Sequence, residues 1–171
     1  MAVNMKSMIA DTFMALSKTK DVDKITVMDL VKACHISRQT FYYHFQDILE
    51  VIEWSVQRAF QDILIHKMET DTPEETIRIF IESSSEAGVL LKKLLHSKRR
   101  EQIETILVNT VRSYLQELIN HQGSKPNLPL ADAKVMLDFY TYGIVGLLLE
   151  NCGKKSLDKE KMAHQIVRLI A

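Results

Sequence analysis

The sequence predicts an all-α protein built from a small head of three helices and a larger helical body. Only 5 Gly and 3 Pro occur in the chain, too few for the many tight turns of a sandwich or barrel of short strands. Apolar residues recur instead at spacings of three and four along most of the sequence, which is the period of amphipathic helices. With 171 residues, the chain has room for a single domain or for a head fused to a body.

The head begins with one amphipathic helix. Ile9, Phe13 and Leu16 lie at spacings of four and three, which predicts a helix with one apolar stripe. The polar run at residues 18–24 is expected to end it.

Two short helices are predicted to follow. Thr26 is an N-cap residue with Asp29 three positions later, the pattern of a capping box, ahead of a helix over residues 27–33. After a turn at residues 34–36, Ser37 is a second N-cap residue and opens a third helix.

The body is predicted to be helical throughout. Its helices are expected at residues 47–68, 72–83, 89–95, 103–121, 131–150 and 157–170. The segment 123–129 contains two of the three prolines and is the clearest linker.

The helix at 131–150 is apolar on nearly every face beyond Phe139. A helix of this kind must be buried. We expect a homodimer in which this helix and the last helix, at 157–170, pack as a four-helix bundle with the same two helices of a second copy of the chain. Gly143 and Gly146 are expected either to permit close approach of helices across that interface or to have a packing role inside one subunit.

Composition excludes several other classes of protein. Basic and acidic residues number 22 each and 46% of the residues are apolar, which excludes a disordered tail and a polybasic arm. Cys34 and Cys152 form no CxxC pair, so we expect reduced thiols with neither a metal site nor a disulfide.

The longest uncharged apolar run, at 139–149, is shorter than the roughly 20 residues that span a bilayer. With no secretory signal pattern, the sequence predicts a cytoplasmic protein without membrane segments.

The head carries the functional signal. Two short helices joined by a turn of three or four residues, after a longer helix, form a helix-turn-helix whose last helix enters the DNA major groove. Arg38 and Gln39 lie in the first turn of that helix, and their side chains suit bidentate contacts with guanine and adenine. Tyr42, Tyr43 and His44 add donors that reach phosphates.

The motif resembles the DNA-binding head of the TetR family of bacterial regulators, over roughly residues 5–55. The resemblance rests on two stretches, Thr26-Val27-Met28-Asp29-Leu30 and Ser37-Arg38-Gln39-Thr40-Phe41-Tyr42-Tyr43-His44-Phe45. It implies a DNA-binding domain at 1–47 and an effector-binding and dimerisation domain at 48–171.

The resemblance also implies roles for particular residues. The DNA-binding residues it gives are Thr26, Ser37, Arg38, Gln39, Thr40, Tyr42, Tyr43 and His44. Among them, Thr26 caps its helix beside a phosphate, Tyr42 and His44 hold the DNA backbone, and Arg38, Gln39 and Tyr43 face the groove.

The implied function is that of a ligand-responsive repressor that binds a palindromic double-stranded DNA operator as a homodimer. The implied effector is an unidentified small molecule held among the body helices, and no cofactor is expected. The alternative is an activator or adaptor controlled by a partner protein, as in regulators of the dihydroxyacetone kinase type.

The chain departs from the family pattern at two points. Ile48 occupies the position where the family usually has a Lys that contacts phosphate. Many family members also have a basic arm before the first helix, whereas Lys6 is the only charged residue among the first ten here. The segment up to Asp47 has six basic and five acidic residues, a formal net charge of +1, which is small for a DNA-binding head because phosphate neutralisation dominates DNA affinity.

The sequence also bears on three other interpretations: an enzyme, a nucleic-acid patch in the body and a ligand cavity. No Glu has a His three residues later and no HExxH, P-loop or GxSxG motif occurs, so an enzyme is not expected. The basic residues at 92–93 and 98–100 suit either a nucleic-acid patch or solvated helix ends that favour a helix dipole. The aromatic and Met-rich body is expected to be core, with a ligand cavity somewhere among its helices.

Overall fold

The computed structural model describes residues 4–67, 88–121, 129–151 and 158–170, and every long element among them is an α-helix. The all-α prediction is confirmed. The elements are α1 (Met5–Thr19), α2 (Val27–Ala33), α3 (Arg38–His44), α4 (Ile48–Lys67), α5 (helical residues 88–95), α6 (Arg100–His121), α7 (Leu130–Asn151) and α8 (Lys159–Ile170). The predicted helix at 72–83, residues 123–128 of the predicted linker and the turn before the last helix lie outside the described residues.

α1 forms where the apolar stripe predicted it. Asn4 is its N-cap and accepts a hydrogen bond from the backbone N–H of Ser7. Ile9 and Phe13 are buried and Leu16 packs against the same core. The connection between α1 and α2 was expected to be polar. It contains a short 3₁₀ turn (Val22–Lys24), and the side chain of Val22 is buried.

α4 joins the head to the body. Its first turns contribute Ile48, Val51 and Ile52 to the buried core, and the helix packs against both α1 and α6. A single apolar core therefore continues from the head into the body. The domain boundary between residues 47 and 48 stays a prediction.

The body core lies between α6 and α7. α6 buries one face, which consists of Ile103, Ile106, Leu107, Thr110 and Val111. α7 contributes Val145 and Leu148, and Arg112 forms an ion pair with Asp138 across the two helices. The predicted burial of α7 on nearly every face is not met within one chain, because Phe139 is 73% exposed.

Candidate DNA-binding interface

The candidate recognition helix, α3, is held at both ends by local hydrogen bonds. The Ser37 hydroxyl oxygen accepts from the backbone N–H of Thr40 at 2.9 Å, and the hydroxyls of these two residues lie 2.8 Å apart. At the other end, the N–H of Phe45 donates to the carbonyl of Phe41 at 2.9 Å. The predicted N-cap at Ser37 is confirmed, and Ser37 and Thr40 both take part in it.

Two phenylalanines fix which face of α3 points outwards. Phe41 and Phe45 are buried, so the residues on the other side of the helix face solvent. Tyr43 is 85% exposed and Tyr42 is 57% exposed, and Arg38 and Gln39 are exposed as well. Four side chains with hydrogen-bond donors thus share the outer surface of α3.

His44 occupies the edge of this surface. It is half-buried, and its ring meets the ring of Tyr43 edge-on with the centroids 5.0 Å apart. The ring contact limits the directions in which the His44 nitrogens can reach, whereas Tyr43 projects past it.

The turn between α2 and α3 has a Schellman motif. His35 adopts a left-handed conformation with φ of 54°. Its N–H donates to the carbonyl of Lys32, and the N–H of Ile36 donates to the carbonyl of Val31. This pair of bonds satisfies carbonyls at the end of α2 and sets the direction in which the chain enters α3.

The N-terminus of α2 has the predicted capping box. The hydroxyl of Thr26 accepts from the N–H of Asp29, while the Asp29 carboxylate accepts from the backbone N–H and the hydroxyl of Thr26 at 2.8 and 2.7 Å. The ammonium group of Lys20 reaches the same carboxylate oxygen at 2.7 Å. The hydrogen bonds from Lys20 and Thr26 hold the pKa of Asp29 well below its usual range. The role of Lys20 was not evident from the sequence, because a separation of nine residues matches no helical period.

The burial of Ile48 accounts for one departure from the family pattern. Its side chain is buried beside Val51 and Ile52, so the start of α4 contributes an apolar contact to the core. The N-terminus of α4 is instead capped by two acids, since Glu50 accepts from the N–H of Gln46 and Asp47 accepts from the N–H of Glu50.

Part of the basic run in the body contacts the head. The ammonium group of Lys93 binds carbonyls at the end of α1, and Arg99 donates to the carbonyl of Val22. Arg100 pairs with Glu104 along α6. These contacts favour the helix-dipole interpretation of the run over a nucleic-acid patch.

Two further kinds of site are absent from the part of the chain that the structure describes. It contains no cluster of three His, Cys, Asp or Glu side chains placed to hold a metal ion. None of its helices is long and apolar enough to cross a membrane.

Comparison with known proteins gives the family. Residues 71–171, more than half of the chain, match a TetR-type family model described as a transcriptional regulator C-terminal region. The uncharacterised HTH-type transcriptional regulator YxbF of Bacillus subtilis (strain 168) is 24% identical over 161 residues, which cover 91% of this chain and 41% of YxbF. The chain therefore spans about two fifths of the length of that curated relative.

Three solved structures share the fold. The dihydroxyacetone kinase operon activator DhaS has a TM-score of 0.70 at 19% identity, with 99% of this chain and 95% of DhaS covered. Lin0861 from Listeria innocua has a TM-score of 0.74 at 17% identity, with 99% and 93% covered. A TetR-family regulator from Syntrophomonas wolfei has a TM-score of 0.54 at 17% identity, with 96% and 91% covered. Because the family model matches more than half of its residues, the chain belongs to the TetR family of transcriptional regulators, a family of regulators and not of enzymes.

Proposed function

We propose that the protein is a ligand-responsive repressor that binds a palindromic DNA operator as a homodimer. The observation that carries the proposal is the placement of α3. Phe41 anchors the helix in the core, and the exposed side chains of Arg38, Gln39, Tyr42 and Tyr43 occupy the opposite face. A short helix presented in this way fits the major groove.

We assign to the eight site residues the roles that the family resemblance implies, and their exposure supports these roles. Arg38 and Gln39 are exposed in the first turn, where they contact base edges, and Tyr43, which is 85% exposed, reaches into the groove with them. Tyr42 and His44 contact phosphates. The other three, Thr26, Ser37 and Thr40, form the N-terminal caps of α2 and α3, and we place these helix ends beside the DNA backbone.

A dimer is proposed from the exposed stripe of α7. Successive positions along one side of this helix are exposed and apolar or small, namely Val135, Phe139, Tyr142, Gly143, Gly146 and Leu147. No described atom outside the helix lies within 4 Å of a Cβ placed at Gly143 or Gly146, so a packing role for these glycines inside one subunit has no support. A second α7 covers the stripe, and the two heads then bind two half-sites about 34–36 Å apart.

The effector is proposed to bind among the body helices and to act through α4. This helix contributes to the head core and also packs on α6, so a ligand that prefers one arrangement of the body changes the fraction of dimers with the correct head spacing. Activation of transcription is the second candidate, because the operon activator DhaS has the same fold over 99% of this chain.

DNA binding is tested with the full-length chain. Random-sequence duplexes are selected for binding, and the selected duplex is titrated with wild-type protein and with single variants. Arg38→Ala is expected to lose roughly 1–3 kcal/mol and to relax specificity at one base pair, whereas Tyr42→Phe weakens all sequences alike. Wild-type behaviour of both variants, or failure of the wild type to select any sequence, would contradict the proposal.

The variant Ser37→Asp distinguishes the N-cap role of Ser37 from its proposed position beside the DNA. Asp is as good an N-cap as Ser, so the variant keeps its thermal stability. The added negative charge at the start of α3 repels phosphate, so DNA affinity falls. Unchanged DNA affinity would show that this end of α3 lies away from the DNA backbone.

Effector control is tested by a thermal-shift screen of metabolites, repeated with the selected duplex present. A ligand of the proposed kind raises the melting temperature and changes the DNA affinity. If a purified partner protein changes DNA affinity and no ligand does, the adaptor alternative replaces this part of the proposal.

A further inference from the structure

A lysine side chain of the body contacts the C-terminal end of α1. The Nζ atom of Lys93 in α5 lies 2.6 Å from the carbonyl oxygen of Ser17 and 3.2 Å from that of Lys18. Carbonyls in the last turn of a helix have no partner within the helix and carry partial negative charge. Lys93 therefore caps α1, and its neighbour Leu94, buried in the core, holds α5 in place.

A carboxylate of the head contacts the turn between α5 and α6. The carboxylate of Asp23 accepts from the backbone N–H of Lys98, with distances of 3.0 and 3.3 Å to its two oxygens. Arg99 donates to the carbonyl of Val22 at 3.3 Å and lies 3.9 Å from an Asp23 oxygen. We call the set Ser17, Asp23, Lys93 and Arg99 the head–body latch.

The latch is a second attachment of the head to the body. The first is α4, whose Arg58 forms an ion pair with Asp11 of α1. Ser17 lies six residues beyond Asp11, about 9 Å further along the helix axis at 1.5 Å per residue. A head attached through one helix can rock about it, whereas a second contact at a separate point removes that freedom.

We infer that Asp23, Lys93 and Arg99 are positioning residues for DNA binding, which fix the angle of each head relative to the body. The inference rests on the proposed function, because its consequence is the distance between two recognition helices in a dimer. A palindromic site demands a fixed distance, so a rigid head angle gives the protein a sharp preference for one half-site spacing.

The experiment measures that preference. The selected duplex is compared with duplexes that have one base pair more or fewer between the half-sites, for the full-length wild type, Lys93→Met and Asp23→Ala. The ratio of affinities between the best and the altered spacing is expected to fall by about fivefold or more in the variants, the lower end of typical couplings between sites. Lys93→Arg keeps a cation at the end of α1 and restores most of the ratio.

Lys92→Met is the matched control, because it removes an exposed cation from the adjacent position of the same helix and is expected to keep the ratio. A merely structural role of the latch lowers the affinity for all spacings alike and leaves the ratio unchanged, which would overturn the inference. If Lys93→Met does not fold, Asp23→Asn, which removes the charge at nearly the same shape, takes its place with the same expectation.

A readout without DNA separates this inference from the proposed function. Spin labels at Lys32→Cys in the head and Gln102→Cys in the body, both exposed positions, are introduced with Cys34→Ser and Cys152→Ser. The distance distribution between the labels is expected to broaden in Lys93→Met. Failure of the wild type to select DNA overturns the proposed function alone, whereas an unchanged distribution overturns the latch.

Discussion

The ammonium group of Lys20 donates a hydrogen bond to the carboxylate of Asp29, with Nζ and Oδ2 2.7 Å apart. This contact joins Lys20, the C-cap residue of α1, to the capping box of α2. The same Asp29 oxygen accepts the hydroxyl and the N–H of Thr26, so one carboxylate connects the end of α1 to the start of α2.

The first prediction concerns acid stability. The pKa of Asp29 is lower in the folded chain than the value of about 3.9 for an unfolded Asp, so the ionised carboxylate stabilises the fold above that pH. This stabilisation is lost as the pH falls from about 4 towards the lower folded pKa. Asp29→Asn is expected to melt below the wild type near pH 6 and to approach it near pH 2 in circular dichroism.

Two further variants check the cause. Lys20→Met removes the largest contribution to the low pKa and is expected to weaken the same acid dependence. Lys18→Met removes an exposed cation from the same end of α1 and is expected to leave it intact. A constant difference between Asp29→Asn and the wild type at all pH values would contradict the assignment.

The second prediction concerns the left-handed turn at His35. A left-handed conformation costs a non-glycine residue roughly 1–2 kcal/mol, while glycine loses about 0.5–1 kcal/mol more backbone entropy on folding. His35→Gly is therefore expected to raise the free energy of unfolding by up to about 1.5 kcal/mol. His35→Val, with a β-branched side chain, is expected to lower it. Urea denaturation measures both, and a destabilised His35→Gly would contradict the strain argument.

The third prediction concerns Tyr114 in α6. Burial raises the pKa of Tyr114 to about 12, compared with about 10 in an unfolded chain. The neutral phenol is favoured in the fold, so the free energy of unfolding is expected to fall between about pH 10 and pH 12. Tyr114→Phe is expected to abolish this dependence and to remove the step of tyrosinate absorbance near pH 12 in a rapid base titration. Tyr43→Phe, at an exposed position, is expected to keep that step.

The fourth prediction concerns the stripe of α7. Phe139→Glu and Leu147→Glu each place a charge in the proposed interface, where an unpaired charge is costly. Both variants are expected to sediment as monomers and to lose DNA affinity, although the head is unchanged. Lys134→Glu, on another side of the same helix, is expected to remain dimeric. A wild-type monomer, or dimeric Phe139→Glu and Leu147→Glu, would show that the stripe is not the interface.

The sequence alone predicted the structure of the helix-turn-helix. The capping box of Thr26 and Asp29 and the N-cap at Ser37 depend on contacts between residues three positions apart, which local spacing reveals. The burial of Phe41 and the exposure of Arg38 follow from the helical period in the same way. The DNA contacts of these residues stay predictions.

Only the tertiary structure decided how these elements are joined. The bond from Lys93 to Ser17 spans 76 residues, and its geometry depends on the packing of α5 against the head, which no local pattern encodes. The composition of α7 indicated burial on nearly every face, but it could not show that Val145 faces the chain's own core and Phe139 faces outwards. Apolar burial has no direction of its own, so the neighbouring helices decide which side of a uniformly apolar helix is left for a partner.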